Sequence, residues 1–131
     1  MKRLLFVCVE NSCRSQIAEA FARIHANGRL KIYSAGSRPS GKVNPMAIES
    51  MREVGYDLAK HDSKSLTEIP AVEYDFVVTM GCGDECPYVR ARQREDWAIP
   101  DPKNLPPDQF RKIRDEIEKK VKNVLSRIEG V

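Results

Sequence analysis

The hydrophobic pattern changes period along the chain, and those changes mark its elements. Residues 4–9, Leu4 to Val9 (LLFVCV), are an unbroken apolar run bounded by charged residues, which predicts a short buried strand. Ile17, Ala20, Phe21 and Ile24 then recur at spacings of three, one and three. That is the apolar stripe of a helix over about residues 14–26, ending near Asn27-Gly28. Lys31 to Ser34 predicts a second strand, closed by the turn signal Ala35-Gly36. Asn44-Pro45 predicts a helix start, with Asn as cap and Pro as first helical residue. Ala47, Ile48, Met51 and Val54 would face the core, with Gly55 as the stop. Asp75 to Met80 (DFVVTM) predicts an interior strand, and Trp97 to Ile99 a shorter one. From Pro107, the positions Phe110, Ile113, Ile117, Val121, Val124 and Ile128 predict a long amphipathic closing helix.

Strands alternating with helices argue for an α/β fold, a parallel sheet covered on both faces. Ligands of such sheets bind at the carboxyl ends of the strands, near the switch in strand order. Cys8, Ser34 and Cys82 all lie at or just after the ends of predicted strands, so they can share that edge.

Composition narrows the class. With 131 residues and no repeat, low-complexity tract or linker, the chain reads as one domain, 1–131. Charged residues make up 31% and aromatic residues 7%. The net charge of +3 comes from 22 basic and 19 acidic residues interspersed, which argues against nucleic acid or an anionic membrane as partner. The first apolar run is too short for a signal peptide or a membrane span, so the expected compartment is the cytoplasm. In that reducing setting the cysteines at 8, 13, 82 and 86 point to metal binding or redox chemistry rather than structural disulfides. A four-thiolate zinc cage is the non-enzymatic alternative. Its paired spacings are not the usual two-residue knuckles, and it leaves Arg14 unexplained, so no metal is expected. Nothing in the sequence brings His25 or His61 to the cysteines; both read as surface or packing positions.

The stretch CVENSCRS, residues 8–15, carries the candidate chemistry. A loop leaving a strand and entering a helix turns several backbone N–H groups toward one point, and the helix start adds partial positive charge. Such a nest, Val9, Glu10, Asn11, Ser12, Cys13 and Arg14 here, binds a tetrahedral oxyanion. The Arg14 guanidinium can clamp two of its oxygens. The same surroundings favour a thiolate at Cys8, the nucleophilic form. Ser15 could donate a hydrogen bond to it, and Asn11 can hold a tight or left-handed turn.

CVENSCRSQIAEA resembles the C-x5-R-S phosphate-binding loop of the low-molecular-weight tyrosine phosphatases and of the thioredoxin-coupled arsenate reductases that share their fold. The resemblance continues through YSAGSRP, VNPMAIESMREVGYDL, DFVVTMGCGDECP, REDWAIPDP and RKIRDEIEKKV, nearly the whole chain. Gln16, where the phosphatases usually have Pro, resembles the reductase branch. The implied fold is a single three-layer domain around a four-stranded parallel sheet with helices on both faces.

What the resemblance implies for mechanism can be laid on these positions. Cys8 attacks arsenate held by the loop and Arg14, and Asp101 acts as general acid. Cys82 then attacks Cys8, releasing arsenite, and Cys86 attacks Cys82, leaving a disulfide for thioredoxin, the external reductant. Cys82 and Cys86 are four positions apart, near enough to bridge in a helical or turn conformation, and Gly81 and Gly83 allow the backbone to move. The segment of about residues 80–95 is therefore expected to be mobile. Their spacing is shorter than in better-known reductases. The implied partners are arsenate or phosphate and transient thioredoxin, with no bound cofactor, and the implied state is a monomer. The alternative is a tyrosine phosphatase working through a cysteinyl-phosphate. Lys103 and Asn104, where such phosphatases often carry aromatic residues, favour a small inorganic substrate. Glu10 replaces the usual Gly of the loop and is expected to point outward. Cys13 either packs under the helix or forms a protective disulfide with Cys8, as in related phosphatases. Some reductases bind potassium with residues matching Asn11, Glu19, Ser34 and an Asp that falls near Lys64 here. The lysine ammonium would take the cation's place, so no potassium requirement is expected.

Overall fold

In the computed structural model, residues 1–81 and 88–128 are described. Strand β1 (Arg3–Cys8) is built on the first apolar run. Leu4, Phe6 and Cys8 enter one core cluster, while Leu5 and Val7 enter another. That two-residue alternation marks a strand buried on both faces. Helix α1 (Arg14–Ala26) follows, and Asn27 closes it in the left-handed conformation at φ 48°. Strand β2 (Lys31–Gly36) then pairs with β1. Helix α2 (Pro45–Arg52) starts at the expected place, because the Asn44 side chain accepts the N–H of Met46 at 2.8 Å and Pro45 needs no partner of its own. Strand β3 (Tyr74–Thr79) lies on the other side of β1, and β4 (Ala91–Asp96) lies outside β3. Helix α3 (Pro107–Ile128) ends the described chain.

Among the described residues the sheet is four-stranded and parallel, in the order β2-β1-β3-β4. The larger cluster joins one face of the sheet to α1, α2 and α3 through Phe6, Phe21, Met51, Trp97, Phe110 and Ile117. The second face is closed by a one-turn 3-10 helix, Leu66–Glu68, and neighbouring segments that pack Leu66, Ile69, Val72 and Val89 on Leu5, Val7 and Val77. The connections from β1 reach β2 on one side and, later, β3 on the other. The strand order therefore reverses at the carboxyl end of β1, where a crevice opens. No described helix is long and apolar enough to cross a membrane.

Four local expectations change. The fourth strand is Ala91–Asp96, not Trp97 to Ile99. It is an edge strand with largely exposed polar side chains, so it carries no apolar signature, whereas Trp97 and Ile99 are buried just beyond it. Residues 91–95, expected within a mobile segment, thus belong to the sheet; residues 82–87 lie outside the described residues. Helix α2 ends at Arg52, which leaves Val54 42% exposed rather than in the core, with Gly55 (φ 85°) in the turn beyond. Strand β2 continues through Gly36 because the β1 loop crosses it too closely for a side chain. A Cβ at Gly36 would stand 2.5 Å from the carbonyl oxygen of Val9.

Candidate active site

The chain from Cys8 to Arg14 turns over Gly36 and enters α1. Asn11 takes φ 47°, a left-handed conformation that most residues reach only at a cost of roughly 1–2 kcal/mol and that Asn tolerates. The loop is tied to its surroundings through its main chain. Val9 O accepts from Arg38 N–H at 2.9 Å, Glu10 O from Ser40 N–H at 3.1 Å, and Ser12 O from Asn44 N–H at 2.9 Å. With these carbonyls held outward, the N–H side of the loop is left for the crevice. Helix α1 reinforces this: no side chain caps its start, and its first turn holds no acidic residue.

Cys8, Cys13, Arg14 and Asp101 converge on one cavity of about 150 Å³. Arg14 is held from behind, its Nη1 donating to Ile99 O at 2.8 Å, with Nη2 4.0 Å from Asp101 Oδ2. Asp101 Oδ1 accepts the Lys103 N–H at 3.1 Å. The carboxyl and the guanidinium thus face the same space as the Cys8 sulfur. At the rim, Glu10, expected to point outward, instead lines the cavity and meets Lys103 at 3.6 Å.

The hydrogen bonds that lead to Ser15, beneath Cys8, have a fixed direction, which follows from a main-chain donor that cannot be exchanged. The Lys64 N–H donates to Asn11 Oδ1 at 2.9 Å, so the other end of that amide, Nδ2, donates to Ser15 Oγ at 2.8 Å. The Ser15 hydroxyl keeps its own hydrogen for Cys8 Sγ, 2.9 Å away, and is the donor of that contact when the sulfur is a thiolate, which has none to give. A donor aimed at the sulfur stabilises the thiolate.

The chain extends further back. Gln16 Nε2 donates to Asn11 Oδ1 (2.8 Å) and Asp62 O (2.9 Å), which leaves its Oε1 to accept from His61 Nδ1 at 2.9 Å. His61 Nε2 then accepts from the Tyr56 hydroxyl at 2.6 Å. From Tyr56 to Cys8 every hydrogen bond points the same way, and aligned bonds polarise one another. Burial keeps His61 below its ordinary value, which suits this neutral role; Glu19 opposes the shift, and Arg23, Lys64 and Lys60 assist it. His61 therefore approaches the loop after all, a correction to its reading as a surface or packing residue. No sequence signal could have placed it there, since the contact spans 45 positions and depends on the tertiary fold.

The remaining expected residues fall as follows. Cys13 is buried, and burial, with Asp101 and Cys8 adding to it, pushes its thiol up. It stays a thiol, set in the cavity wall rather than packed away under the helix. Ser12 Oγ donates to Lys42 O at 3.1 Å and serves the loop's shape. Lys64 Nζ stands 3.8 Å from Glu19 Oε1, and Glu19 also accepts from Ser34 Oγ, so the four positions grouped as a cation site do gather. Cys82 and Cys86 lie outside the described residues. The chain leading to them does not: Met80 N–H donates to Val7 O at 2.8 Å, and Gly81 lies against Arg14.

A four-stranded parallel sheet whose switch-point loop carries a cysteine and an arginine around a small polar cavity defines an oxyanion-handling α/β enzyme class. The chain belongs to the low molecular weight phosphotyrosine protein phosphatase family, whose profile matches residues 3–130. It is 37% identical over 131 residues to a Synechocystis protein named glutaredoxin arsenate reductase, covering 98% of this chain and 99% of that one. It is 38% identical over 130 residues to an arsenate reductase of Staphylococcus aureus, covering 96% and 98%. An arsenate reductase solved in its phosphate-binding state superposes with a TM-score of 0.87 at 37% identity, over 98% of this chain and 99% of that one.

Proposed function

We propose that the protein reduces arsenate to arsenite, with Cys8 as nucleophile and a relay through Cys82 and Cys86. The observation that carries the reading is the cavity in which a hydrogen-bonded Cys8 sulfur, the Arg14 guanidinium and the Asp101 carboxyl meet at an uncapped helix start. The likeness to arsenate reductases supports the choice of oxyanion.

The loop amides and Arg14 hold the arsenate, and the Cys8 thiolate attacks arsenic. An arsenate oxygen departs as water with a proton from Asp101, leaving a Cys8–arsenic bond. Cys82 then attacks the Cys8 sulfur. A sulfur–sulfur bond forms, the sulfur–arsenic bond breaks, and its electron pair stays on arsenic, which leaves as arsenite. Cys86 attacks Cys82, expelling the Cys8 thiolate, and an external dithiol such as thioredoxin reduces the Cys82–Cys86 disulfide. The position of Gly81 against Arg14, one residue before Cys82, supports this reach. The family favours a second reading, hydrolysis of phosphate monoesters through a cysteinyl-phosphate.

Single Cys→Ser variants at 8, 82 and 86 separate the two. Arsenate-dependent NADPH oxidation is measured through thioredoxin and its reductase, and in parallel through glutathione and glutaredoxin, beside hydrolysis of an aryl phosphate. Cys8→Ser is expected to abolish both activities. Cys82→Ser and Cys86→Ser are expected to stop arsenate turnover and spare hydrolysis. Normal arsenate turnover in those two would remove the relay and favour the phosphatase.

A further inference from the structure

We propose that Glu10 and Lys103 form a charge clasp across the mouth of the cavity, which selects a bare inorganic oxyanion over its organic esters. This deepens the proposed function and rests on the cavity being an oxyanion site. Both residues line the cavity shared by Cys8, Arg14 and Asp101. Glu10 comes from the loop after β1, and Lys103 from the turn after Asp101. Their side chains meet at 3.6 Å, Nζ to Oε2, with 47% of Lys103 and 46% of Glu10 exposed.

The main chain is pinned at both ends. Lys103 N–H donates to Asp101, and Glu10 O accepts from Ser40 N–H and from Ser63 Oγ at 2.9 Å. The two ends stay in place while the side chains can swing. An ion pair this exposed is weak, because water screens it. An anion entering the cavity can therefore compete with Glu10 for the Lys103 ammonium. A bare tetrahedral ion turns a charged oxygen toward the mouth and can take that ammonium over. An ester turns carbon there instead. It leaves Lys103 with Glu10 and wedges an apolar group against two half-hydrated charges, with no hydrogen bond in return. No aromatic side chain among the described residues lines the cavity to offset that cost by stacking. The Glu10 carboxylate repels the incoming anion throughout, and once Lys103 has turned it offsets part of what the ammonium gives.

The test is a double-mutant cycle on Glu10→Gln and Lys103→Met, read by calorimetry with inorganic phosphate as the probe. The ratio of arsenate reduction to p-nitrophenyl phosphate hydrolysis, as kcat/KM, is measured on the same proteins. Lys103→Met is expected to weaken phosphate binding about fivefold and Glu10→Gln to tighten it about threefold, the scale of half-exposed charges a few ångströms apart. The gain from Glu10→Gln is expected to shrink in the Lys103→Met background, because the two side chains act on one another. The activity ratio is expected to move about tenfold toward the ester in the double variant. Additive effects on phosphate binding, or an unmoved ratio, would overturn the clasp. A wild-type protein that bound no phosphate would overturn the oxyanion-site reading itself.

Discussion

Replacing Gly81 by alanine tests how Arg14 is held, and the structure gives the size of the disturbance. Gly81 sits at φ 71°, and a Cβ there would stand 2.6 Å from Arg14 Nη1 and 3.5 Å from its Cζ. To regain ordinary separation the guanidinium must retreat by roughly 0.8 Å, away from the position where Nη1 donates to Ile99 O at 2.8 Å. The left-handed backbone costs an alanine roughly 1–2 kcal/mol, and a lost hydrogen bond from a charged donor about 1.5–3 kcal/mol. Partial relaxation of the Gly81 turn shares the strain, so a stability loss of about 2 kcal/mol in urea unfolding is expected. Function should suffer more, because a misplacement near 1 Å in a group that orients substrate costs about a hundredfold in rate. Gly81→Ala is therefore expected to lower kcat/KM about a hundredfold for both arsenate reduction and aryl phosphate hydrolysis, and to weaken phosphate binding in calorimetry. Hydrolysis is the deciding arm, since it needs Arg14 but not the later cysteines. Unchanged hydrolysis and phosphate affinity, with arsenate turnover alone reduced, would refute the steric argument and assign Gly81 to relay motion instead.

Two further outcomes follow from the groups beneath the loop. Burial holds folded His61 below its ordinary value of 6.5, so on acidification the unfolded chain takes up the proton first. Stability is then full above about pH 6.5 and falls as pH drops below it, by at most about 1.4 kcal/mol per unit; urea unfolding from pH 7.5 to 5 should show this slope, and His61→Asn, which keeps a donor toward Gln16, should flatten it. An equal slope in the variant would assign the effect to other groups. With Lys64 Nζ 3.8 Å from the buried Glu19 carboxylate, arsenate turnover in potassium chloride and sodium chloride at equal ionic strength should match, and Lys64→Ala should introduce a potassium response. A strong rise of wild-type activity with potassium would contradict this.

The elements legible in the sequence are those whose pattern reports their own burial. β1 and β3 are buried on both faces, so their residues read as apolar runs, and α3 shows its stripe because one side meets the core. β4 is hidden in the sequence for the opposite reason. As the edge strand it holds its place through main-chain pairing with β3, which any residue can supply, and Arg92, Gln93 and Arg94 leave no apolar trace. The same division runs through the site. Cys8, Asn11, Arg14 and Ser15 lie within eight consecutive positions and can be read together, whereas Gln16–His61–Tyr56 and Glu10–Lys103 are joined only by the folded chain.

That division bears on which reaction the cavity performs. Everything that binds and activates is contained in the loop and its backing: a uniform direction of hydrogen bonds toward Cys8, an uncapped helix start, and Arg14 fixed by Ile99. These parts treat phosphate and arsenate alike, because both present a tetrahedral array of anionic oxygens. In the proposed reaction they bring the substrate to a covalent adduct on sulfur and no further. The next nucleophile decides the outcome. Water reaching phosphorus completes a hydrolysis and leaves every oxidation state unchanged. A thiolate reaching the Cys8 sulfur instead withdraws the bond pair onto arsenic, which is a two-electron reduction. For that step the thiol must approach along the far side of the sulfur from arsenic, so it has to come from chain packed beside the loop rather than from the open mouth. The chain leaving β3 runs along this flank, since Met80 N–H donates to Val7 O and Gly81 abuts Arg14, and it is this chain that leads to the cysteines of the proposed relay. Under the proposed relay and clasp, the rim, where Glu10 and Lys103 meet, governs what enters, and the flank governs whether the adduct is hydrolysed or reduced.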